Sequence, residues 1–134
     1  VKDATGNLAR ASRDRDALPK SFVQLSGDDA TALGFNAHGG VGCISVTSNV
    51  APRACAEFQG ACLAGNYAKA LAIQDRLMAL HDALFCEASP APTKFAASLL
   101  GLCDEEVRLP IVPMSGKGRE TVRAAMAKAK LLNS

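Results

Sequence analysis

Residues 39–52 read GGVGCISVTSNVAP, and this stretch decides the fold class. Residues 43–47 (CISVT) are rich in apolar and β-branched side chains, which predicts a buried strand entered from a glycine-rich turn. The chain leaves this strand through Ser48 and Asn49. Pro52 then occupies the first position of the next predicted helix, where its missing N–H has no helical bond to lose. A strand that feeds a helix through a short turn is typical of a βα unit.

The same pattern precedes this stretch. Residues 22–25 (FVQL) follow Pro19 and lead into the turn at residues 26–29, which predicts a second buried strand. Residues 1–4 (VKDA) predict the end of an earlier strand. Strands that are separated by one helix each must run parallel with right-handed connections. Residues 1–65 therefore predict part of a parallel α/β sheet.

Beyond Gly65 every periodic segment is helical, which predicts a separate helical domain over residues 66–134. Three apolar stripes recur at three- and four-residue steps. Between the last two stripes, Pro110 and Pro113 predict an extended strap over residues 108–113. The stripes are Tyr67, Ala70, Leu71, Gln74, Leu77, Met78, His81, Leu84 and Phe85; Phe95, Leu99 and Leu102; and Val122, Ala125, Met126, Ala129 and Leu132.

Composition excludes several classes of protein. With 134 residues, 49% apolar and 21% charged, the chain is long enough for one globular domain or a part of a larger one, and it is not disordered. Its 15 basic and 13 acidic residues leave a charge of +2, too small for electrostatic binding of nucleic acid. Its apolar runs are far shorter than the roughly 20 residues of a membrane-spanning helix.

The five cysteines contain no C-x-x-C pair and are odd in number, which argues against a disulfide framework or a zinc site. We therefore predict buried thiols in a reducing compartment, the cytoplasm. The chain begins at Val1 without an initiator Met or a secretory leader. We expect it to be a fragment of a longer polypeptide.

Lys2 is the first candidate for chemistry, because it lies inside a predicted apolar strand. Burial disfavours the charged form of an amine, and a neutral amine is a nucleophile that forms a Schiff base with a ketone. Spacing alone also allows Lys2 to extend its amine into water and to have no catalytic role. The residue pattern leaves both interpretations open.

The glycine-bearing turns at residues 26–29 and 39–42 are able to hold an anion through backbone N–H groups, but neither fits a known phosphate-loop pattern. We interpret both as tight turns. Asp28 and Asp29 lack a nearby histidine or third carboxylate, so we interpret them as caps of a helix that begins near Ala30, rather than as metal ligands.

The two histidines give weak signals. His38 lies close to glycines, which is typical of a loop residue. His81 lies on the first apolar stripe, which predicts burial at a helix contact or a subunit interface.

The order of these motifs resembles the C-terminal half of the dihydrodipicolinate synthase family of pyruvate-dependent class I aldolases. The resemblance covers essentially the whole chain. The matching segments are residues 1–8 (VKDATGNL), 25–29 (LSGDD), 39–52, 90–94 (PAPTK), 108–110 (RLP) and 118–123 (GRETVR).

The resemblance implies a TIM (β/α)8 barrel, of which this chain supplies strands six to eight, followed by an all-helical C-terminal domain. It implies that Lys2 captures pyruvate as a Schiff base, and that Gly27 and Ile44, through backbone groups, and Val46 line the substrate site. The implied reaction joins pyruvate to aspartate 4-semialdehyde and gives 4-hydroxy-tetrahydrodipicolinate in lysine biosynthesis. No metal or organic cofactor is expected, because the imine itself is the electron sink.

The resemblance also implies partners. The family is commonly a homotetramer, and it uses a threonine pair, a tyrosine and an arginine that precede its lysine. Tyr67 does not match that tyrosine. We therefore expect the chain to need the missing N-terminal half of the same protein, and to be inactive alone.

Three alternatives stay open. An aldolase like N-acetylneuraminate lyase would share the lysine and the fold but accept another aldehyde. A non-catalytic half-barrel scaffold would carry Lys2 without using it. A phosphate-binding α/β module would hold an anion at residues 39–42.

Overall fold

The computed structural model describes residues 1–132 and contains, within that range, a short parallel sheet and six α-helices. The chain divides into two compact units, residues 1–45 with 53–74 and residues 46–52 with 75–132. The domain boundary expected at residue 65 stays a prediction. The elements are β1 (Lys2–Asp3), α1 (Leu8–Ala17), β2 (Leu25–Ser26), α2 (Ala32–Ala37), a 3-10 turn (Thr47–Asn49), α3 (Pro52–Leu63), α4 (Tyr67–Ala83), α5 (Ala91–Leu99) and α6 (Gly116–Lys128).

The sheet lies in the first unit and is parallel, as the βα pattern predicts. β1 pairs with β2, with Asp3 opposite Ser26. Ser26 also forms a parallel bridge to Cys43. The backbone N–H of Ile44 donates to the carbonyl of Ser26 over 2.8 Å. Three consecutive segments of the chain therefore lie side by side and point in the same direction.

The strand predicted over residues 22–25 is wrong in extent. Of the four predicted residues only Leu25 belongs to β2, which ends at Ser26. Phe22 and Val23 are 44% and 53% exposed, although aromatic and β-branched residues predict burial. Such side chains are buried only where another element covers them. Part of the apolar surface of this segment is therefore uncovered in the first unit.

The strand predicted over residues 43–47 is also wrong in extent. It forms one bridge, at Cys43, and Thr47 begins the 3-10 turn. A strand persists only where a neighbouring strand supplies ladder bonds. In the described part of the chain, β2 is the only strand bridged to this segment. The β-branched pattern did not reveal that the segment ends as a turn.

The first unit buries small and aromatic side chains behind its sheet. α1 packs against α2, and α2 packs against β2. α3 begins at Pro52, as predicted. It ends where Gly65 adopts a φ of +71°, a left-handed conformation that glycine allows without a steric cost. The buried apolar residues of this unit are Ala11, Ala32, Phe35, Phe58, Ala61, Cys62, Ala70 and Ile73.

The second unit is built from helices, and α5 packs against α6 and against the 3-10 turn. Most members of the three predicted stripes are buried, which confirms the helical pattern. Tyr67, Leu71 and Phe85 of the first stripe are exposed, so the prediction is wrong for them. A helix buries only the side that neighbouring elements cover. The buried apolar residues of α4, α5 and α6 in this unit are Leu77, Leu80, Ala83, Ala91, Phe95, Ala96, Ala97, Val122, Ala125 and Met126.

Leu102 does not continue the stripe of α5, because the helix ends before it. Gly101 has a φ of +70°, and the N–H groups of Gly101 and Leu102 donate to the carbonyls of Ser98 and Ala97. This bond pattern is a Schellman motif, which turns the chain away from the helix axis. Leu102 is exposed as a result.

Residues 108–113 contain neither helix nor strand. The extended strap predicted there is wrong at its start, because the N–H of Ile111 donates to the carbonyl of Arg108 over 3.0 Å and closes a turn around Pro110. No helix in residues 1–132 combines the length and the apolar character that crossing a bilayer requires.

The start of α6 depends on a polar cap. The hydroxyl of Ser115 accepts a hydrogen bond from the N–H of Gly118 over 3.1 Å. Ser115 donates from its own N–H and hydroxyl to the carboxylate of Glu87. These bonds lower the pKa of Glu87. One hydroxyl therefore satisfies a free N–H group of α6 and links the helix to residue 87.

We predict that Ser115→Ala lowers the free energy of unfolding by about 1 kcal/mol, because the first turn of α6 loses its cap. Urea unfolding followed by circular dichroism measures this change. Thr121→Ala on the same helix is the matched control, since Thr121 is exposed and its hydroxyl bonds only the carbonyl of Lys117. An equal loss for both variants would contradict the capping role.

Candidate functional site

The side chain of Lys2 runs across the backbone of Gly27 on the neighbouring strand. A Cβ atom at Gly27 would lie 2.7 Å from Cε of Lys2 and 2.8 Å from Cβ of Ala4. Carbon atoms do not approach so closely without a clash, and Ala4 is held by the backbone. Glycine at position 27 therefore leaves the space that the Lys2 side chain occupies.

Lys2 is exposed in this chain. A desolvated amine at this position requires further residues that cover it. The neighbouring carbonyl of Asp3 accepts the N–H of Gly27 over 2.7 Å, which fixes the two strand ends against each other. The geometry thus sets the position of Lys2, but the chain alone does not bury its amine.

Ile44 lies on the segment that is next to Gly27 in the sheet. Its N–H bonds the carbonyl of Ser26, the residue before Gly27, and its side chain is half-exposed. The structure therefore brings Lys2, Gly27 and Ile44 onto three adjacent parallel segments within the first unit. Within this arrangement the side chain of Lys2 passes along the backbone of Gly27.

Val46 belongs to the second unit, directly before the 3-10 turn. Its carbonyl accepts from the N–H of Asn49 over 3.1 Å and from the side-chain amide of Asn49 over 2.9 Å. Val46 lines a cleft of about 400 Å³ in this unit, together with Pro90, Thr93 and Leu102. The hydroxyl of Thr93 is buried and has no hydrogen-bond partner in the described part of the chain.

The two aspartates after Gly27 act within their turn. The carboxylate of Asp28 accepts from the N–H of Ala30 over 3.2 Å and from the hydroxyl of Thr31 over 2.7 Å. α2 begins two residues later than predicted, at Ala32, with Thr31 as its N-cap residue. Asp28 therefore stabilises the turn that precedes the helix and is not the cap itself. Asp29 is buried.

The thiols of the first unit are poor nucleophiles. Burial, together with the negative charge of Asp29, raises the pKa of Cys43 to about 12 and that of Cys55 to about 11. Both thiols stay protonated at neutral pH, and only the thiolate is reactive. Cys86 and Cys103 are exposed, so the prediction of burial is wrong for them. Both lie beyond the end of a helix.

The described residues contain no group of three or more His, Cys, Asp or Glu side chains able to hold a metal ion. His38 is exposed beyond the end of α2, and its ring nitrogen lies 3.3 Å from the hydroxyl of Ser12. The hydroxyl of Tyr67 donates to the carbonyl of Asn36 over 3.3 Å. Neither His38 nor Tyr67 shares a contact with Lys2.

Asp3 is a residue whose role the sequence pattern did not reveal. It is 8% exposed, and its carboxylate accepts from the N–H and the hydroxyl of Thr5 over 2.8 and 2.6 Å. Arg10 lies 3.3 Å from the second carboxylate oxygen. The bonds from Thr5, with a smaller part from Arg10, lower the pKa of Asp3 despite its burial. Asp3 therefore anchors the turn that follows Lys2.

A model of the dihydrodipicolinate synthetase family matches residues 1–129. The chain is 64% identical to 4-hydroxy-tetrahydrodipicolinate synthase of Parvibaculum lavamentivorans over 133 residues, which are 99% of this chain and 46% of that protein. It is 62% identical to the synthase of Ruegeria pomeroyi over 132 residues, 98% of this chain and 46% of that protein. The chain thus spans under half the length of the curated relatives that it matches.

Solved structures are similar over the same range. Dihydrodipicolinate synthase from Aquifex aeolicus superposes with a TM-score of 0.93 at 39% identity, over 97% of this chain and 44% of that one. The chloride-inhibited synthase from Acinetobacter baumannii, complexed with pyruvate, superposes with a TM-score of 0.92 at 38% identity, over 98% of this chain and 45% of that one.

We predict that Gly27→Ala, in this chain joined to its upstream segment, slows the reaction of Lys2 with a small ketone about 100-fold, because the new methyl group clashes with Cε of Lys2 and displaces the amine by about 1 Å. Mass spectrometry after reductive trapping measures the rate. Gly60→Ala is the matched control, since a Cβ at Gly60 on α3 meets nothing within 4 Å. Unchanged trapping in Gly27→Ala would contradict the steric role of this glycine.

We predict that Asp3 stabilises the fold in a pH-dependent manner. The pKa of Asp3 in the folded protein lies below its ordinary value of 3.8. The ionised carboxylate therefore contributes to the free energy of unfolding above about pH 4, and this contribution is lost as the pH falls through the folded pKa. The stability advantage of the wild type over Asp3→Asn should therefore shrink between pH 6 and about pH 3. Urea unfolding across this range measures it, with the exposed Asp16→Asn as control. A difference that is constant with pH would contradict the prediction.

Proposed function

Because the chain belongs to the dihydrodipicolinate synthetase family, we propose that it is the lysine-bearing C-terminal part of a Schiff-base lyase that condenses pyruvate with aspartate 4-semialdehyde. The observation that carries this proposal is the passage of the Lys2 side chain across Gly27 at the ends of paired parallel strands. Active sites of (β/α)8 barrels lie at the C-terminal ends of their strands. The pyruvate complex of the Acinetobacter baumannii relative supports the choice of the first substrate.

We propose the architecture that the family resemblance implies. The segments at Lys2, Leu25 and Cys43 are strands six, seven and eight of a TIM barrel, and residues 66–134 form its helical C-terminal domain. The parallel order of the three segments supports this assignment. The half-exposed apolar side chains of Val1 and Ile44 then meet strands of the upstream part of the same protein.

The proposed reaction begins when the neutral amine of Lys2 attacks the ketone carbon of pyruvate. The carbinolamine that forms loses water and leaves an imine. Loss of a proton from the methyl group gives an enamine, whose carbon adds to the aldehyde carbon of aspartate 4-semialdehyde. The amino group of that substrate then attacks the imine carbon, displaces Lys2 and closes the ring. The product is 4-hydroxy-tetrahydrodipicolinate, and the amine is regenerated.

Each proposed site residue has a distinct part in this scheme. Gly27 leaves space for Lys2 and, with Ile44, lines the pyruvate site through its backbone. Val46 supplies an apolar wall. The proton transfers need groups that the family carries before its lysine, so residues 1–134 alone are expected to show no turnover. The proposed enzyme needs no organic cofactor, since the imine withdraws the electrons.

We propose that the enzyme assembles as a homo-oligomer, a homotetramer in the family resemblance, and acts in the cytoplasm. The five free cysteines support a reducing compartment. The exposed Tyr67, Leu71 and Phe85 supply apolar area that a second copy is able to cover.

We predict that borohydride reduction in the presence of pyruvate attaches a reduced pyruvyl group to Lys2 when this chain is joined to its upstream segment. Peptide mass spectrometry identifies the modified residue. Lys2→Arg keeps the charge but is not nucleophilic, so it should give no adduct. Lys94→Arg is the control at a second lysine, which is partly buried, and it should leave the adduct unchanged. A folded protein without an adduct on Lys2 would support the non-catalytic scaffold.

A further inference from the structure

Helix α4 carries two buried polar side chains whose place in the apolar stripe needs a reason. Gln74 and His81 are seven positions apart and are 6% and 5% exposed. A polar group costs free energy when it is buried, unless it is hydrogen-bonded. Leu77 and Leu80 on the same helix show that apolar side chains suffice for packing there. Each of the two polar residues contacts a turn that follows a segment of the sheet.

Gln74 holds the turn after Gly27 within the first unit. Its amide nitrogen donates to the carbonyl of Asp29 over 3.1 Å and to the carbonyl of Ala30 over 2.9 Å. One side chain thus fixes two consecutive peptide groups. Strand β2 ends at Ser26, and no ladder of strand hydrogen bonds continues beyond Gly27. The position of the Gly27 backbone therefore depends on this turn.

His81 holds the turn after Val46 within the second unit. Its Nδ1 atom lies 2.7 Å from the hydroxyl of Thr47, which is 1% exposed. The carbonyl of Thr47 accepts the N–H groups of Val50 and Ala51, so this residue closes the turn from its main chain as well. The hydroxyl is therefore a direct link from the turn to α4.

We infer that Gln74 and His81 are positioning residues, which hold the turns carrying Gly27 and Val46 in the geometry that binds pyruvate. This inference rests on the proposed function. Hydrogen bonds between buried groups are directional, whereas apolar packing tolerates small shifts. A site that is lined by the backbone of turns depends on such directional support. The two residues act through the turns and do not touch the substrate.

The test uses the full-length enzyme, in which this chain follows its upstream segment. Gln74→Met keeps the length of the side chain without the amide, and Thr47→Val keeps its shape without the hydroxyl. We expect each to raise the KM for pyruvate about tenfold, because each turn loses directional hydrogen bonds, with kcat at saturating pyruvate nearly unchanged.

Conservative variants separate positioning from packing. His81→Asn places an amide nitrogen where Nδ1 lies, and Thr47→Ser keeps the hydroxyl, so both should retain a wild-type KM. His81→Leu also removes the bond between Nδ1 and the hydroxyl of Thr47, so it should raise the KM for pyruvate as Thr47→Val does. Leu77→Ala is the structural control, and it should lower Tm while leaving the KM for pyruvate unchanged.

Two results would overturn the inference. One is a wild-type KM in Gln74→Met and Thr47→Val. The other is a KM that rises in Leu77→Ala in proportion to its loss of Tm, which would make the effect a general consequence of destabilisation. Both presuppose a wild-type enzyme that forms the pyruvate adduct on Lys2. Absence of that adduct would instead overturn the proposed function, and with it this inference.

Discussion

The approach of two parallel strands at Lys2 and Gly27 is the constraint on which the site depends. A lysine on a strand end has many rotamers, and its amine is useful only if the neighbouring backbone leaves it a defined path. The missing Cβ at position 27 supplies that path, and the Asp3 carbonyl fixes the two strand ends at hydrogen-bond distance. Asp3 adds a second restraint, because its carboxylate holds the turn that follows Lys2. These local contacts thus define the path of the Lys2 side chain along Gly27.

The same sheet leaves surfaces that this chain does not cover. Val1, Val23 and Ile44 are about half-exposed on segments whose composition is that of buried strands. The family's curated members are more than twice as long as this chain. Burial in a low-dielectric environment favours the uncharged form of an amine, and the packed interior of a closed barrel provides such an environment. In the proposed enzyme, closure of the barrel therefore buries the exposed apolar edge and activates the lysine at the same time.

Much of this architecture follows from sequence, and the failures have identifiable causes. The parallel order, the helix beginning at Pro52 and the helical stripes follow from periodicity and from turn residues, which are local properties. The extents of the strands at residues 22–25 and 43–47 could not be predicted from the sequence, because a strand ends where its neighbouring strand ends. Ordered motifs drew attention to Lys2 and Gly27, whereas Asp3 became apparent only from its three-dimensional contacts. Gln74 and His81 fitted an apolar stripe, and only their hydrogen-bond partners distinguish them from packing residues.

A crystal structure of the full-length enzyme, reduced in the presence of pyruvate, tests the central claim most directly. The account predicts continuous electron density from Nζ of Lys2 to the former ketone carbon, with the reduced pyruvyl group beside the backbone of Gly27 and Ile44. It also predicts that residues outside this chain enclose the amine. A pyruvyl group on another lysine, or a Lys2 side chain that leaves Gly27 and points into solvent in the closed barrel, would contradict it.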